Sequence, residues 1–180
     1  MIDYIQGKVV YKSQNKVVID KDGFGLSIET PSNLNLEGKI KLYTYLSLKD
    51  EEIRLYGFDS RESRDLFLKL ISISGIGIKH AMELLSTFKP FELVEAIENR
   101  DVTLLSTVKG IGKKTAQRII FELQGKLDFY DSEIMEDLVE ALQSLGYSKK
   151  EAMKVAVEVI KETKDIEQAI KIALQKLSEK

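Results

Sequence analysis

The sequence predicts a multidomain α+β protein: an N-terminal five-stranded β-barrel, a central all-α unit and a C-terminal bundle of three short helices. Three observations predict it. The first 58 residues alternate apolar with polar and are broken by turn residues, as short strands are. A central stretch is written twice: Ile71 to Leu85 reads ISISGIGIKHAMELL and Ser106 to Ile120 reads STVKGIGKKTAQRII, with Gly75 and Gly110, and again Gly77 and Gly112, 35 residues apart. Beyond residue 133 the apolar residues fall at helical spacing. The boundaries fall at 1–62, 63–127, a short linker 128–133, and 134–180.

The strands come first. Ile2 to Tyr11 alternates loosely, Ser13-Gln14-Asn15 turns, and Lys16 to Asp20 is rich in β-branched residues. Asp22-Gly23 is a strong hairpin signal, with Phe24 to Thr30 as its return strand. After a loop from Pro31 to Gly38, Lys39 to Leu48 alternates again and Ile53 to Phe58 completes the set. Five short antiparallel strands suit a small closed barrel, of which the oligonucleotide-binding (OB) fold is the commonest. An SH3-like barrel is the alternative, and periodicity does not separate the two. Lys49-Asp50-Glu51-Glu52 lies between the last two strands. As a solvated turn it needs no explanation; as a catalytic set it is poor, lacking histidine or metal-ligand partners. It would repel phosphates.

The repeat follows. Glu62 to Ile73 and Phe91 to Asn99 carry apolar residues at helical spacing, and Pro90 suits a first turn. Each copy then places Gly-Ile-Gly before a Lys, an Ala and a new apolar helix. A glycine after a helix can take the left-handed backbone region and reverse the chain. The second glycine leaves no side chain between the turn and whatever approaches it, while Ile76 and Ile111 can pin the turn to the core. The next helix offers free N–H groups and the positive end of its dipole, which suit a phosphate. Lys79, Lys113 and Lys114 lie in those first turns, where the dipole disfavours cations unless an anion is expected. Arg118 stands one helical turn beyond Lys114 and can extend such a contact. Helix, Gly-apolar-Gly, helix resembles the helix-hairpin-helix motif of sequence-independent DNA binding. One copy alone is more often a plain helix connection; two in phase favour DNA. Nucleotide motifs fail: Lys114 stands where a P-loop needs Ser or Thr, and His80 and Thr115 stand where a dinucleotide fingerprint needs its third glycine. His80, the only histidine, forms neither a metal site nor a dyad and reads as a surface residue.

The third segment has Leu138, Ala141, Leu142 and Leu145 on one side of Glu136 to Leu145, then a Gly146-Tyr147 turn. Ser148 caps the helix Lys149 to Lys161 with Glu151 completing a capping box, and Asp165 caps a third helix. Its Leu-Gly-Tyr turn resembles ubiquitin-associated (UBA-like) three-helix folds.

Charge assigns the segments different partners. The net −2 divides into −1 for 1–62, +3 for 63–127 and −4 for 128–180. Positive charge thus sits on the repeated hairpins, and the acidic third segment suits a protein rather than DNA. With no cysteine, disulfides and thiol catalysis are excluded. No apolar run is long enough to span a membrane and no secretory leader is legible, so a cytoplasmic location is expected.

Leu55-Tyr56-Gly57-Phe58 closing a barrel, then Arg64-Asp65-Leu66-Phe67, then two such hairpins, resembles the RuvA family, the Holliday-junction-binding subunits of bacterial branch-migration machines. The strongest block is GIGKKTAQRII, and the likeness spans nearly the whole chain. The resemblance implies binding of four-way junction DNA by shape and phosphates, through Gly75, Gly77, Lys79, Gly110, Gly112, Lys113, Lys114 and Arg118. It implies a homotetramer, single or paired, and acidic pins at the junction centre carried over to Asp50 and Glu51. Glu52 adds a third charge there. It implies docking of the third segment, through a surface to which Leu145 and Tyr147 contribute, onto the ATP-driven motor RuvB, with the resolvase RuvC as a further partner. The linker is shorter than in many relatives, which bears on how freely the third segment moves. No cofactor, metal or catalytic residue is expected of the chain itself. Two rivals stand beside this: a general repair module that binds duplex without junction preference, and a nuclease using Asp50, Glu51 and Glu52.

Overall fold

The alternating segment becomes five strands: β1 (Tyr4–Ser13), β2 (Lys16–Lys21), β3 (Phe24–Glu29), β4 (Lys39–Lys49) and β5 (Glu52–Phe58). They are seen in a computed structural model that describes residues 2–49, 52–127, 133–160, 162–163 and 165–178. The barrel closes in the order β1-β2-β3-β5-β4. Not all pairs are antiparallel: β3 meets β5 in parallel at Glu29↔Tyr56, because closing five strands this way brings two of the same direction together. That order is the OB-fold arrangement and decides between the two barrels that alternation leaves open. Asp22 and Gly23 both have positive φ, 52° and 87°, as a two-residue hairpin turn of the favoured hand requires.

Inward residues of all five strands make the barrel core, among them Ile5, Val17, Ile19, Ile28, Leu42 and Leu55. The Leu55–Phe58 stretch explains itself here. Leu55 and Gly57 face this core, and a Cβ on Gly57 would lie 2.6 Å from Ile28 Cγ2. Tyr56 and Phe58 face outward yet are buried, because α1 (Arg61–Ile71) lies over them. Phe67 of α1 is the centre of that seam, its ring 4.9 Å from Phe58, 5.5 Å from Tyr45 and 5.9 Å from Tyr56. The contacts accordingly divide the chain into two compact units, 1–127 and 128–180, the first holding barrel and central helices together.

The central helices continue with α2 (Ile78–Thr87), α3 (Pro90–Glu98), α4 (Val102–Leu105) and α5 (Lys113–Leu123). Leu66, Phe67, Leu84, Leu93, Ile97, Leu105 and Ile119 are fully enclosed between them. The two copies differ in approach: α1 has 11 residues, α4 only 4. The cause is local. Arg100 turns left-handed (φ 56°) to end α3, and Asp101 at once caps the next helix, its carboxylate accepting the Leu104 N–H at 2.9 Å.

In the second unit, α6 (Glu133–Ser144), α7 (Lys149–Val159) and α8 (Ile166–Ser178) surround Met135, Leu138, Leu142, Val155 and Val159, with Ala152, Ala156, Ala169 and Ala173 allowing close approach. The expected caps form: Glu151 N–H donates to Ser148 Oγ at 3.3 Å, and Gln168 N–H to Asp165 Oδ1 at 2.9 Å. α7 ends at Val159, two residues short of the expected Lys161, which lies outside the described residues.

Candidate nucleic-acid interface

The two hairpins have the same backbone. Gly75 and Gly110 both have φ +86°, the left-handed turn that glycine takes without strain. In each, the residue after this glycine is buried and returns its N–H to the approach: Ile76 N to Ile73 O at 3.0 Å, Ile111 N to Val108 O at 2.9 Å. Gly77 and Gly112 then sit at the helix N-caps with extended backbone, φ −90° and −82°. That conformation is open to any residue, and a Cβ at either glycine would meet nothing within 4 Å. Neither cap has a side-chain hydrogen bond, whereas Ser60, Asp101 and Ser148 all cap their helices. Where serine or aspartate would stabilise the helix, both copies instead leave bare N–H groups facing solvent.

Lysines surround these openings. Lys79, Lys113 and Lys114 are exposed and form no salt bridge with another described residue. Two further side chains cross between copies. Arg118, on the helix after the second hairpin, is exposed and donates Nη1 to the Ser74 carbonyl of the first at 2.8 Å. His80, on the helix after the first hairpin, lies against the second: a Cβ on Gly110 would be 3.2 Å from its Cδ2. The expectation of an ordinary surface histidine therefore fails. Its ring is partly covered, and Nδ1 is buried without a partner among the described residues.

Toward the barrel, Lys79 shares a cleft of about 590 Å³ with Arg54, Glu29, Tyr56 and Asn15. No local spacing foretells it, because strand and helix meet there only in the folded chain, where the Ser32 N–H donates to Ser86 Oγ at 2.9 Å and Asn33 Nδ2 to the Leu85 carbonyl at 3.1 Å. Arg54 is already engaged, donating to Glu52 Oε2 at 2.8 and 3.0 Å and lying 3.7 Å from Glu29. Glu52, the third negative charge of the sequence reading, is thus ion-paired with its neighbour two residues on. Asp50 and Glu51 lie outside the described residues; the flanking ladder is described and pairs β4 with β5 out to Lys49↔Glu52. Among the described residues there is no group of three His, Cys, Asp or Glu able to hold a metal ion, and no helix long and apolar enough to cross a membrane.

In the second unit, Leu145 stands 58% exposed just before Gly146 (φ 96°). Tyr147 instead packs partly buried against the bundle core.

An OB barrel packed in one compact unit with two helix-hairpin-helix copies, each opening an uncapped helix end among lysines, defines a class: nucleic-acid-binding proteins. Comparison with known proteins narrows the class. Residues 1–57 match the model of the RuvA N terminal domain, 67–125 that of the SAM-like helix-hairpin-helix tandem, and 133–178 that of the RuvA C-terminal domain. A protein of Thermodesulfovibrio yellowstonii is 38% identical over 187 residues, covering 100% of this chain and 98% of its own. One of Geobacillus sp. strain WCH70 is 36% identical over 199 residues (98% and 99%), and one of Christiangramia forsetii 37% over 193 (98% and 100%). All three are named Holliday junction branch migration complex subunit RuvA. The chain belongs to the RuvA family.

Proposed function

We propose that this chain binds four-way DNA junctions by shape and phosphates, holds them open, and delivers them to an ATP-driven motor for branch migration in recombination and repair. One observation carries the reading: two glycine-opened helix ends without a side-chain cap, alike in backbone and flanked by Lys79 in one and Lys113 and Lys114 in the other, none of which forms a salt bridge with another described residue. Their N–H groups, with Lys79, Lys113 and Lys114, hold phosphates of a duplex arm without reading bases. The work divides along the chain. Residues 1–62 carry the barrel and pins, 63–127 grip DNA, 128–133 link, and 134–180 dock the motor RuvB, with exposed Leu145 on the docking surface and Tyr147 supporting it from the core side. RuvC is a further partner on the junction, and the setting is the cytoplasm.

The chain acts as a homotetramer, one subunit per arm, either alone or as two tetramers facing across the junction. Four central units of +3 each bring about +12 to one face, which answers the weak charge of a single chain. Asp50 and Glu51 gather at the centre and repel the crossing strands, favouring a square junction. ATP hydrolysis belongs to the partner. The engagement of Glu52 by Arg54 weighs against a nuclease built on Asp50, Glu51 and Glu52, since one of its three carboxylates is already taken. The test is competition between a synthetic four-way junction and linear duplex, with native mass spectrometry of the complex. Four subunits on one junction, with duplex competing weakly, is the expected result. Equal affinity for both DNAs overturns the junction reading, and metal-dependent cleavage by pure protein overturns the non-catalytic one.

A further inference from the structure

The two hairpins are not merely adjacent copies; each is touched by a side chain from the helix of the other. Arg118 reaches from α5 to the first hairpin, where Nη1 takes the Ser74 carbonyl at 2.8 Å and would lie 2.9 Å from a Cβ on Gly75. His80 reaches from α2 to the second, where Cδ2 and Nε2 would lie 3.2 and 3.3 Å from a Cβ on Gly110. The left-handed glycines therefore do two things. They turn the chain, and they leave the space that the other copy's side chain fills. The contacts are not a consequence of the repeat, because 80 and 118 are not equivalent positions: the counterpart of His80 is Thr115, and that of Arg118 is Glu83. Two unlike residues have reached the same kind of contact from opposite sides.

We propose that Arg118 and His80 are positioning residues that cross-brace the hairpins, holding the two phosphate seats at one fixed spacing before DNA arrives. This rests on the reading that the hairpins seat phosphates. Phosphates on a duplex come at set separations, so two loosely joined seats would have to be ordered on binding, at a cost in affinity. A brace removes that cost in advance. It also gives Arg118 a role other than a direct phosphate contact: its guanidinium holds a carbonyl of the protein.

Amide hydrogen exchange on the full chain without DNA tests the brace directly. Ile76 N–H and Ile111 N–H, both hydrogen-bonded within their hairpins, are the reporters. Arg118→Ala should speed exchange at Ile76, in the distant copy, roughly fivefold or more, with a smaller effect at Ile111, as loss of one local hydrogen bond implies. His80→Ala should do the reverse. Where alanine at 118 prevents folding, Arg118→Lys keeps the charge and loses the planar fork, and it should show the same crossed pattern. Equal acceleration in both hairpins, or none, overturns the brace. Junction binding across a salt series gives the second reading. Arg118→Ala should weaken binding about three- to tenfold with the salt slope unchanged, whereas a slope lower by about one makes Arg118 a phosphate ligand and overturns the positioning role. A wild-type chain that ignores the junction would sink the proposed function, while the exchange pattern would still decide the brace.

Discussion

At the scale of single residues, the four hairpin glycines separate into two kinds that look alike in sequence. Gly75 and Gly110 are required by their own fold: alanine at φ +86° is strained by about 1–2 kcal/mol, and at Gly75 it would also strike Arg118. Gly75→Ala should lower the urea midpoint of unfolding and weaken DNA binding together. Gly77 and Gly112 have ordinary φ and open space, so their alanine variants should unfold within about 1 kcal/mol of the parent. Junction affinity should nevertheless fall about tenfold or more, because a methyl stands where the DNA backbone approaches. Unchanged affinity would mean these glycines serve no ligand. Lys113→Ala with Lys114→Ala should lower the salt slope by about two, one for each lost phosphate. The repeat and its lysines were legible in the sequence because their physics is local. The crossing of His80 and Arg118 was not: 44 residues separate Arg118 from Ser74, and nothing in either stretch encodes the other's approach.

At the scale of elements, short pieces depend on their ends. The four-residue α4 has a side-chain cap at its N-terminus, so Asp101→Ala should cost about 1 kcal/mol in urea unfolding, read most strongly at the second hairpin. The barrel is tied to α1 by a charge cluster in addition to the aromatic seam. Nearly buried Arg64 pairs with Asp3 and Asp65, and Arg61 donates to Asp3 at 3.2 Å. The Arg64 hydrogen bond, assisted by the charge of Arg61, holds the Asp3 carboxyl below its ordinary pKa. A carboxylate lowered on folding contributes stability above its unfolded pKa and loses it as pH falls through the folded value. Stability should therefore decline below about pH 4, and less steeply in Asp3→Asn; identical acid profiles would remove this pair from the account. Alternation and Asp22-Gly23 marked the strands, but not the parallel β3–β5 closure. A strand's partner depends on the path of the whole chain, which no two-residue period records.

At the scale of the whole molecule, residues 1–127 form one unit through Phe67, so this piece alone should fold cooperatively and bind a junction. Residues 128–180 should be dispensable for that binding and required for the motor to act on the bound DNA. Loss of junction binding on removing them would show that the acidic bundle takes part in gripping DNA. Replacing Asp50 and Glu51 by alanine should leave junction affinity equal or tighter if, as proposed, their charges repel the crossing strands. Weaker binding would assign them to assembly. Segment charges suggested a division between DNA and protein partners, because charge needs no fold to be counted. The seam joining barrel to helices was hidden, since Tyr45, Tyr56 and Phe58 read as ordinary strand residues until α1 is laid over them.

The unequal approach helices also divide the labour of the two copies. The two hairpins share a turn angle to the degree yet are entered by helices of 11 and 4 residues. Phe67 fastens the first copy's long helix to the barrel, whereas four residues suffice to bring the chain to the second turn. The likeness lies in the turn, and unequal mechanical duty matches the difference in the helices that lead to it.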